Sequence, residues 1–251
     1  MTKPDDPVSC ADVTLQMDRE TGRMRSILSK FLVIGLLLGT PLAHAQQQQE
    51  WVEGKHYSEI KPAQRPPDAQ QGVVEVTEVF SYGCIYCNRA LPLMDKIRKS
   101  LPSNAHMGYL PASFNAAESW PMFQRVYYTA VALGLMPKMH ETLFSGVWSS
   151  NELAVVEADG RKLKSPQPTI EDAAKFVAKK AGIKPEQFLA TAKSFSVDAN
   201  CRRADQIVKA YKIQGTPSLV VNGRYLVNMS SVKSESELIE LVNWLVAKEA
   251  H

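Results

Sequence analysis

The sequence has few cysteines, almost no excess of charge and no internal repeat. Four cysteines in 251 residues are too few for a small fold held together by disulfide bonds. The formal net charge is only +3, from 29 basic and 26 acidic residues, so the chain lacks the positive field that nucleic-acid binding requires. Hydrophobic residues make up 45% and charged residues 22%, which excludes wholesale disorder and collagen-like repeats. The length allows one or two globular domains.

The apolar run near the N-terminus is too short to cross a membrane. It covers nine residues, 31–39. As a helix it would rise about 14 Å, against roughly 30 Å for a bilayer core. Arg25 and Lys30 precede it and Ala43-His44-Ala45 follows, which completes the three parts of a secretory signal peptide. The pattern predicts a signal peptide over 24–45, removed near Ala45. A buried core helix is the alternative, and the polar QQQQE that follows disfavours it.

Residues 1–23 do not fit that signal, because they carry five acidic side chains. Met24 would be a conventional start, so we interpret 1–23 as a mis-assigned start or a cleaved extension. The remaining chain holds three cysteines, Cys84, Cys87 and Cys201. Thiols outside the cytosol normally pair, so an odd number with a two-residue spacer is not typical of structural cross-linking.

The order of predicted elements indicates an α/β fold. Strands are predicted over 72–80, 105–110, 218–221 and 224–227, and helices over 84–100, 198–212 and 234–249, with only helices between 120 and 195. Without that helical block, a βαβ unit, a β-hairpin around Asn222-Gly223 and a closing helix remain. This is the thioredoxin-like fold with an inserted all-helical subdomain. The predicted division is a thioredoxin-like first part over 46–115, the insertion over 116–197 and a second thioredoxin-like part over 198–251.

The spacing of Cys84 and Cys87 points to redox chemistry. The pair follows a predicted strand, and Cys84 stands where a helix is predicted to begin. Unpaired amides and the helix dipole stabilise a thiolate there by roughly 0.3–2 kcal/mol. Such a thiolate is reactive and leaves easily, and its stability favours the dithiol over the disulfide, which makes the disulfide an oxidant.

Two other uses of the cysteine pair stay open, a structural bridge and half of a zinc site. Zinc would need two further ligands, and the candidate histidines are scattered, namely His56, His106 and His140. Cys201 stands alone on a predicted helix face of apolar residues. We expect it to be a buried, inert thiol, and a regulatory or intermolecular thiol is the alternative.

Glu78 lies six residues before Cys84, within a predicted strand. Strand alternation places it on the face of Val74, Val76 and Phe80. A carboxylate among apolar neighbours should have a raised pKa and could shuttle a proton near the disulfide. The alternative is an edge or bulge position with Glu78 in water.

Two further segments are candidates for contact with a polypeptide substrate. Thr216-Pro217 precedes the first hairpin strand, and if its peptide bond is cis the Thr216 backbone could present polar groups to an incoming chain. An ordinary trans turn is the alternative. Ile85 and Tyr86, together with Tyr82, put apolar bulk around the reactive sulfur and could receive unfolded chains, or they could partly bury themselves.

These features resemble the DsbA family of periplasmic thiol–disulfide oxidoreductases, over residues 52–251. The family's helical insertion and VNGRY hairpin are more specific than the cysteine motif, which all thioredoxin relatives share. The motifs that carry the resemblance are Gly54-Lys-His-Tyr57, Glu78-Val-Phe-Ser81, Cys84-x-x-Cys87, Ala130-Val-Ala-Leu-Gly134, Gly182-Ile183, Gln214-Gly-Thr-Pro217 and Val221-Asn-Gly-Arg-Tyr225.

The resemblance implies a role for each candidate residue. Cys84 would be the exposed reactive sulfur and Cys87 its buried disulfide partner, with Glu78 as the buried acid beneath it. Thr216 and a cis Pro217 would contact the disulfide and bind the client backbone. The enzyme would donate its disulfide to newly exported proteins in the periplasm, without a metal or other cofactor. A membrane, quinone-linked, DsbB-like partner would reoxidise it.

The sequence departs from the family pattern at two places. Its best-known members carry Pro-His between the cysteines, where this chain has Ile85-Tyr86, and the histidine helps to stabilise the thiolate. The family's buried glutamate often pairs with a lysine on the neighbouring strand, and residues 104–114 contain none. We therefore expect Glu78 to be protonated more often.

Two alternative functions are kept. The first is a reductase or isomerase of the same fold, although an isomerase usually adds a dimerisation domain, for which residues 46–71 are too short. The second is a non-catalytic chaperone or metal-delivery protein that uses the same groove. It predicts that the variant Cys84→Ser keeps its function and that the mature protein holds metal.

Overall fold

A five-stranded mixed sheet is the centre of the computed structural model, which describes residues 50–249. The strands are β1 (Tyr57–Glu59), β2 (Val74–Phe80), β3 (Ala105–Pro111), β4 (Ser218–Val221) and β5 (Tyr225–Val227). Their order across the sheet is β1-β5-β4-β2-β3. β2 and β3 are parallel, and the other neighbouring pairs are antiparallel. The predicted signal peptide and Cys10 lie outside the described residues.

Seven α-helices cover the two faces of this sheet in the described part of the chain. They are α1 (Ile85–Ser100), α2 (Trp120–Ala132), α3 (Met136–Trp148), α4 (Ile170–Ala181), α5 (Pro185–Ala192), α6 (Phe195–Ala210) and α7 (Glu235–Glu249). One apolar cluster joins α1 and α7 to one face of the sheet. A second cluster joins the other face to α2–α6. No helix within 50–249 is both long enough and apolar enough to cross a membrane.

The central strand β2 is buried along its whole length. It pairs with β3 on one side and β4 on the other, and helices cover both of its faces. This surrounding explains its β-branched composition. It also encloses three polar residues, Glu75, Thr77 and Glu78, in the interior. Together, the sheet and the helices confirm the predicted thioredoxin-like fold with a helical insertion.

Several local signals in the sequence mark the ends of helices correctly. Thr169 and Asp172 cap α4 reciprocally, because the Asp172 N–H donates to Thr169 Oγ1 at 3.2 Å and the Thr169 N–H donates to Asp172 Oδ2 at 3.0 Å. Gly182 ends α4 with a φ of +72°, in the left-handed region. Pro92 lies inside α1.

The structure also differs from the sequence-based expectations. No strand was predicted before residue 72, yet Tyr57–Glu59 pairs with β5 at the edge of the sheet. Only three residues pair, too few to give a period-2 pattern. α6 begins at Phe195, before the predicted start at Asp198. The predicted domain boundaries after 115 and 197 stay a prediction.

Candidate active site

Cys84 is the N-cap of α1 and therefore lies at the positive end of that helix. The chain leaves β2 at Phe80 and turns within a few residues, because the Cys84 N–H donates to the Ser81 carbonyl at 3.1 Å. The Cys84 carbonyl then accepts the first helical hydrogen bond, from the Asn88 N–H at 3.2 Å. Gly83 allows the close approach of the neighbouring loop, since a Cβ there would lie 2.5 Å from the Glu118 carbonyl oxygen.

The two cysteines of the motif are reduced in this structure and differ in environment. The pKa of Cys84 falls to about 6, chiefly because the Cys87 thiol donates a hydrogen bond to its sulfur. The Thr216 side chain and the N–H groups of Cys87 and Tyr86 add to this effect, against the opposing effect of burial. The pKa of Cys87 is strongly raised, first by burial and then by the neighbouring Cys84. One thiol is thus suited to be an anion and the other to keep its proton.

Cys84 is less accessible than the family resemblance implied. Its exposed fraction is 5%, against 0% for Cys87, so the expectation of an exposed sulfur is wrong for this structure. The cause is the segment opposite, because the Cys84 thiol donates a hydrogen bond to the Thr216 carbonyl oxygen at 3.4 Å. The relative order holds, with Cys84 nearer the surface than Cys87.

The peptide bond between Thr216 and Pro217 is cis, and it lies immediately before β4. Both residues are half-buried. The Thr216 hydroxyl is buried without a partner of hydrogen-bond geometry, yet the side chain lowers the pKa of both Cys84 and Cys87. Thr216 thus faces the sulfur pair with its carbonyl and its hydroxyl.

Glu78 is fully buried in the middle of β2, so the alternative of a solvated edge position is wrong. It stands opposite Tyr109 on β3 and Leu219 on β4. Neither carboxylate oxygen has a hydrogen-bond partner within residues 50–249. Burial, with a smaller contribution from Cys84, raises the pKa of Glu78 to about 8. A tyrosine, and not a lysine, therefore occupies the neighbouring position on β3.

Apolar side chains reach the surface beside Cys84, although the set differs from the predicted one. Tyr86 is 65% exposed, with Arg89 over its ring at 5.8 Å, and Ile85 is half-buried. Tyr82 is fully buried, so its predicted surface role is wrong. Phe114 was not predicted, yet it is 53% exposed and packs on Trp120, which adjoins Gly83.

Tyr82 is buried because it belongs to an aromatic cluster under the site. Its ring packs against Phe80 at 5.0 Å and Phe144 at 4.9 Å. Its hydroxyl lies 3.2 Å from His140 Nδ1, and its carbonyl accepts a hydrogen bond from Trp148 Nε1 at 2.8 Å. His140 was named only among three scattered histidines that disfavour a zinc site, and no sequence signal linked it to Tyr82. Burial lowers the pKa of His140 to about 3, so the imidazole is neutral.

Cys201 lies on the buried face of α6 and is 7% exposed. Burial raises the pKa of its thiol to about 11, which suits the expected inert thiol better than a reactive one. Within residues 50–249, no three His, Cys, Asp or Glu side chains are grouped so that they could hold a metal ion.

Comparisons with known proteins agree in family and fold. Residues 75–239 match the family model described as DSBA-like thioredoxin domain. The thiol:disulfide interchange protein DsbA of Pseudomonas aeruginosa is 30% identical over 223 residues, which cover 89% of this chain and 95% of that protein. The protein of the same name from Azotobacter vinelandii is 29% identical over 228 residues, covering 88% of this chain and 98% of that protein.

Solved structures are similar over most of the chain as well. The crystal structure of Pseudomonas aeruginosa DsbA superposes with a TM-score of 0.63 at 28% identity, and covers 80% of this chain and 95% of that one. The oxidoreductase DsbA from Xylella fastidiosa superposes with a TM-score of 0.66 at 26% identity, and covers 79% and 97%.

Proposed function

This chain belongs to the DSBA-like thioredoxin domain family and is a thiol:disulfide oxidoreductase, and we propose that it works as a dithiol oxidase on exported proteins. The proposal assigns the reactive disulfide to Cys84 and Cys87. It assigns proton transfer to Glu78, and contact with the client to Ile85, Tyr86, Thr216 and Pro217.

The opposite pKa shifts of Cys84 and Cys87 are the observation that carries the proposal. The pKa of Cys84 falls to about 6, so at neutral pH its sulfur is mainly a thiolate, while the raised pKa of Cys87 keeps that thiol protonated. Stabilising the thiolate favours the reduced protein over the disulfide. A protein that is more stable when reduced transfers its disulfide outward to a client dithiol.

The reaction we propose has two exchange steps. A client thiolate attacks Cys84 Sγ, the Cys84–Cys87 bond breaks, and Cys87 leaves with the electron pair. The second client thiolate then attacks the client sulfur in the mixed disulfide, and Cys84 leaves as a stabilised thiolate. The client loses two electrons and the enzyme gains them.

Glu78 has the properties of a proton donor in the first step. Its pKa of about 8 means that it is mostly protonated at neutral pH, and its charge raises the pKa of Cys87. A departing Cys87 thiolate with a strongly raised pKa needs a proton, and a protonated carboxyl within the same buried site can supply it.

The client would bind where Cys84 meets Thr216. The exposed ring of Tyr86 and the half-buried Ile85 offer apolar contact for an unfolded chain. The half-buried Thr216–Pro217 segment lies against the reactive sulfur, so a client cysteine that reaches Cys84 must pass beside it.

We place this activity in the periplasm. The homologues are named DsbA, the family resemblance implies a periplasmic enzyme, and the signal peptide predicted over 24–45 supports export. A reduced Cys84–Cys87 pair must be reoxidised before another cycle, and we propose a membrane, quinone-linked, DsbB-like partner for that step.

A redox equilibrium with glutathione tests the direction of transfer. We expect a potential more positive than about −200 mV, against about −270 mV for a reducing thioredoxin and below about −300 mV for structural cystines. A value near that of thioredoxin would support the reductase alternative. Metal in the purified mature protein, with function retained in Cys84→Ser, would support the metal-delivery alternative.

A further inference from the structure

Two cavities adjoin the segment that faces the reactive sulfur. The first has a volume of about 520 Å³ and is lined by Thr216 and Pro217, by the turn before β1 and by the end of β5. The second, of about 450 Å³, lies between the end of α6 and the loop that carries Phe114. The two share one wall, formed by Lys212, Ile213 and Gln214. A client chain that extends from Cys84 past Thr216 meets this wall.

The charged groups on these cavities are mainly basic. Lys55 and Lys212 line the first, and no carboxylate does. Lys209 and Lys212 line the second, which has one acid, Asp205. Asp205 Oδ1 already accepts hydrogen bonds from Ser113 at 2.6 Å and Gln124 at 2.8 Å. We call Lys55, Lys209 and Lys212 the basic rim.

The lysines of the basic rim have no carboxylate of their own. All three side chains are exposed. None takes part in an ion pair in the part of the chain that the structure describes, where the paired cations are other lysines and arginines. The Lys55 turn is also held in place, because Asn228 Nδ2 donates to the Lys55 carbonyl at 2.9 Å. Three uncompensated positive charges therefore surround the path of the client.

Lys212 has a backbone conformation that favours glycine. Its φ is +54°, in the left-handed region where a Cβ crowds the neighbouring carbonyl. Helix α2 ends at the corresponding position, one residue beyond its C-cap, with a glycine, Gly134, and the left-handed C-cap of α4 is also a glycine, Gly182. Lys209 already places a cation in the last turn of α6, so the helix dipole does not require a second one. A lysine at this position therefore points to a use for its side chain.

We propose that the basic rim selects client segments that carry an acidic residue within about four residues of the reactive cysteine. The proposal rests on the oxidase function and adds a substrate preference to it. Lys212 precedes Thr216 by four residues, and an extended chain covers at most about 14 Å over that length. A client strand that runs past Thr216 can therefore bring a carboxylate, four residues from its own cysteine, close to Lys212. Opposite charges attract over about 10 Å at 0.1 M salt.

Two sets of three dithiol peptides of equal length test the preference. Each set carries aspartate, asparagine or lysine three residues from one cysteine, on its N-terminal side in one set and on its C-terminal side in the other. The rate of their oxidation by the oxidised mature protein is measured at 0.05 M and 0.5 M NaCl. For the favoured side we expect the aspartate peptide to react about threefold faster than the asparagine peptide, and the lysine peptide about threefold slower. The higher salt concentration should remove most of the difference.

Variants separate the basic rim from intrinsic effects of charge on the peptide thiols. Lys212→Gln, combined with Lys55→Gln, should bring the aspartate-to-asparagine rate ratio close to that in 0.5 M salt. Lys212→Gly should lower this ratio without loss of thermal stability, because glycine suits the left-handed position. Lys175→Gln, on the exposed side of α4 away from both cavities, is the matched control and should keep the ratio of the parent protein.

The outcomes distinguish this proposal from the function on which it rests. An unchanged ratio in the Lys55 and Lys212 variants, or equal rates for all three peptides, would overturn the preference while the oxidase function stands. Failure to oxidise even the asparagine peptide would contradict the oxidase function itself.

Discussion

The Thr216 carbonyl oxygen accepts a hydrogen bond from Cys84 Sγ at 3.4 Å, between residues that are 132 positions apart in the chain. This bond requires a protonated sulfur. When Cys84 is a thiolate, the carbonyl repels it and only donors can stabilise the charge. The nearby Thr216 hydroxyl has no other partner, and it lowers the pKa of the sulfur.

Replacing Thr216 by valine should therefore weaken the thiolate. Thr216→Val removes the hydroxyl and keeps the shape, so we expect the pKa of Cys84 to rise from about 6 by roughly 0.5–1, which corresponds to about 1 kcal/mol. The ultraviolet absorbance of the thiolate across pH measures this change. Thr216→Ser keeps the hydroxyl and should stay near the parent value. Equal titration curves for the valine and serine variants would show that the hydroxyl has no part in it.

Glu78 should make the reduced protein less stable as the pH rises. The pKa of Glu78 is about 8 in the folded protein, above its usual 4.5, so the folded state keeps a proton that the unfolded state releases between these values. Its contribution to stability is present below pH 4.5 and is lost as the pH rises through 8. At pH 9 the loss should be on the order of 5 kcal/mol.

The variant Glu78→Gln isolates this effect. It cannot ionise, so the difference in the free energy of unfolding between variant and parent should move in favour of the variant from pH 5 to pH 9. Urea unfolding of both reduced proteins at the two pH values gives this difference, and it cancels groups that the two proteins share, such as His140. A difference that does not change with pH is the result that contradicts a buried, titrating Glu78.

The sequence was informative wherever a local rule applied. The helix start at Cys84 follows from a strand, a short turn and an amphipathic pattern, and the structure places the N-cap there. The burial of Glu78 was predicted from its place among apolar residues in a strand, and the structure confirms it, although both faces of β2 are buried and not only the predicted one. The pattern could not show that β3 would carry Tyr109 opposite Glu78, because register between strands depends on tertiary pairing.

The parts that the sequence could not predict depend on contacts between distant segments. Tyr82 adjoins the cysteine motif, and only its packing against Phe144 on α3 makes it an interior residue. Phe114 lies in a loop without periodicity, and it joins the site only because Trp120 packs beside Gly83. The low exposure of Cys84 likewise results from Thr216: the family resemblance placed Thr216 at the disulfide, yet it implied an exposed sulfur.

Gly83 should be intolerant of even one added methyl group. A Cβ at this position would lie 2.5 Å from the Glu118 carbonyl and 2.9 Å from the Trp120 ring, and a backbone atom cannot move aside cheaply. We expect Gly83→Ala to lower the free energy of unfolding by about 1–3 kcal/mol. Gly215→Ala is the matched control, since nothing lies within 4 Å of its added Cβ. Denaturant unfolding compares them, and equal stability of the two variants would contradict the close contact at Gly83.

The proposed order of bond breaking predicts which cysteine variant traps a client. With Cys87→Ser, Cys84 can still exchange with an oxidised client or a client labelled with a good leaving group. The resulting mixed disulfide then persists, because no neighbouring thiol is left to resolve it. Cys84→Ser should trap nothing, because Cys87 is fully buried and its pKa is strongly raised.

Cys201→Ser should exchange at the rate of the parent protein, because burial raises the pKa of Cys201 to about 11 and leaves little thiolate at neutral pH. Non-reducing electrophoresis and mass spectrometry of the intact adducts identify the attached cysteine. An adduct on Cys87 in the Cys84→Ser variant would reverse the assignment of the two sulfurs, whereas adducts confined to Cys84 connect the low pKa at the start of α1 to the chemistry.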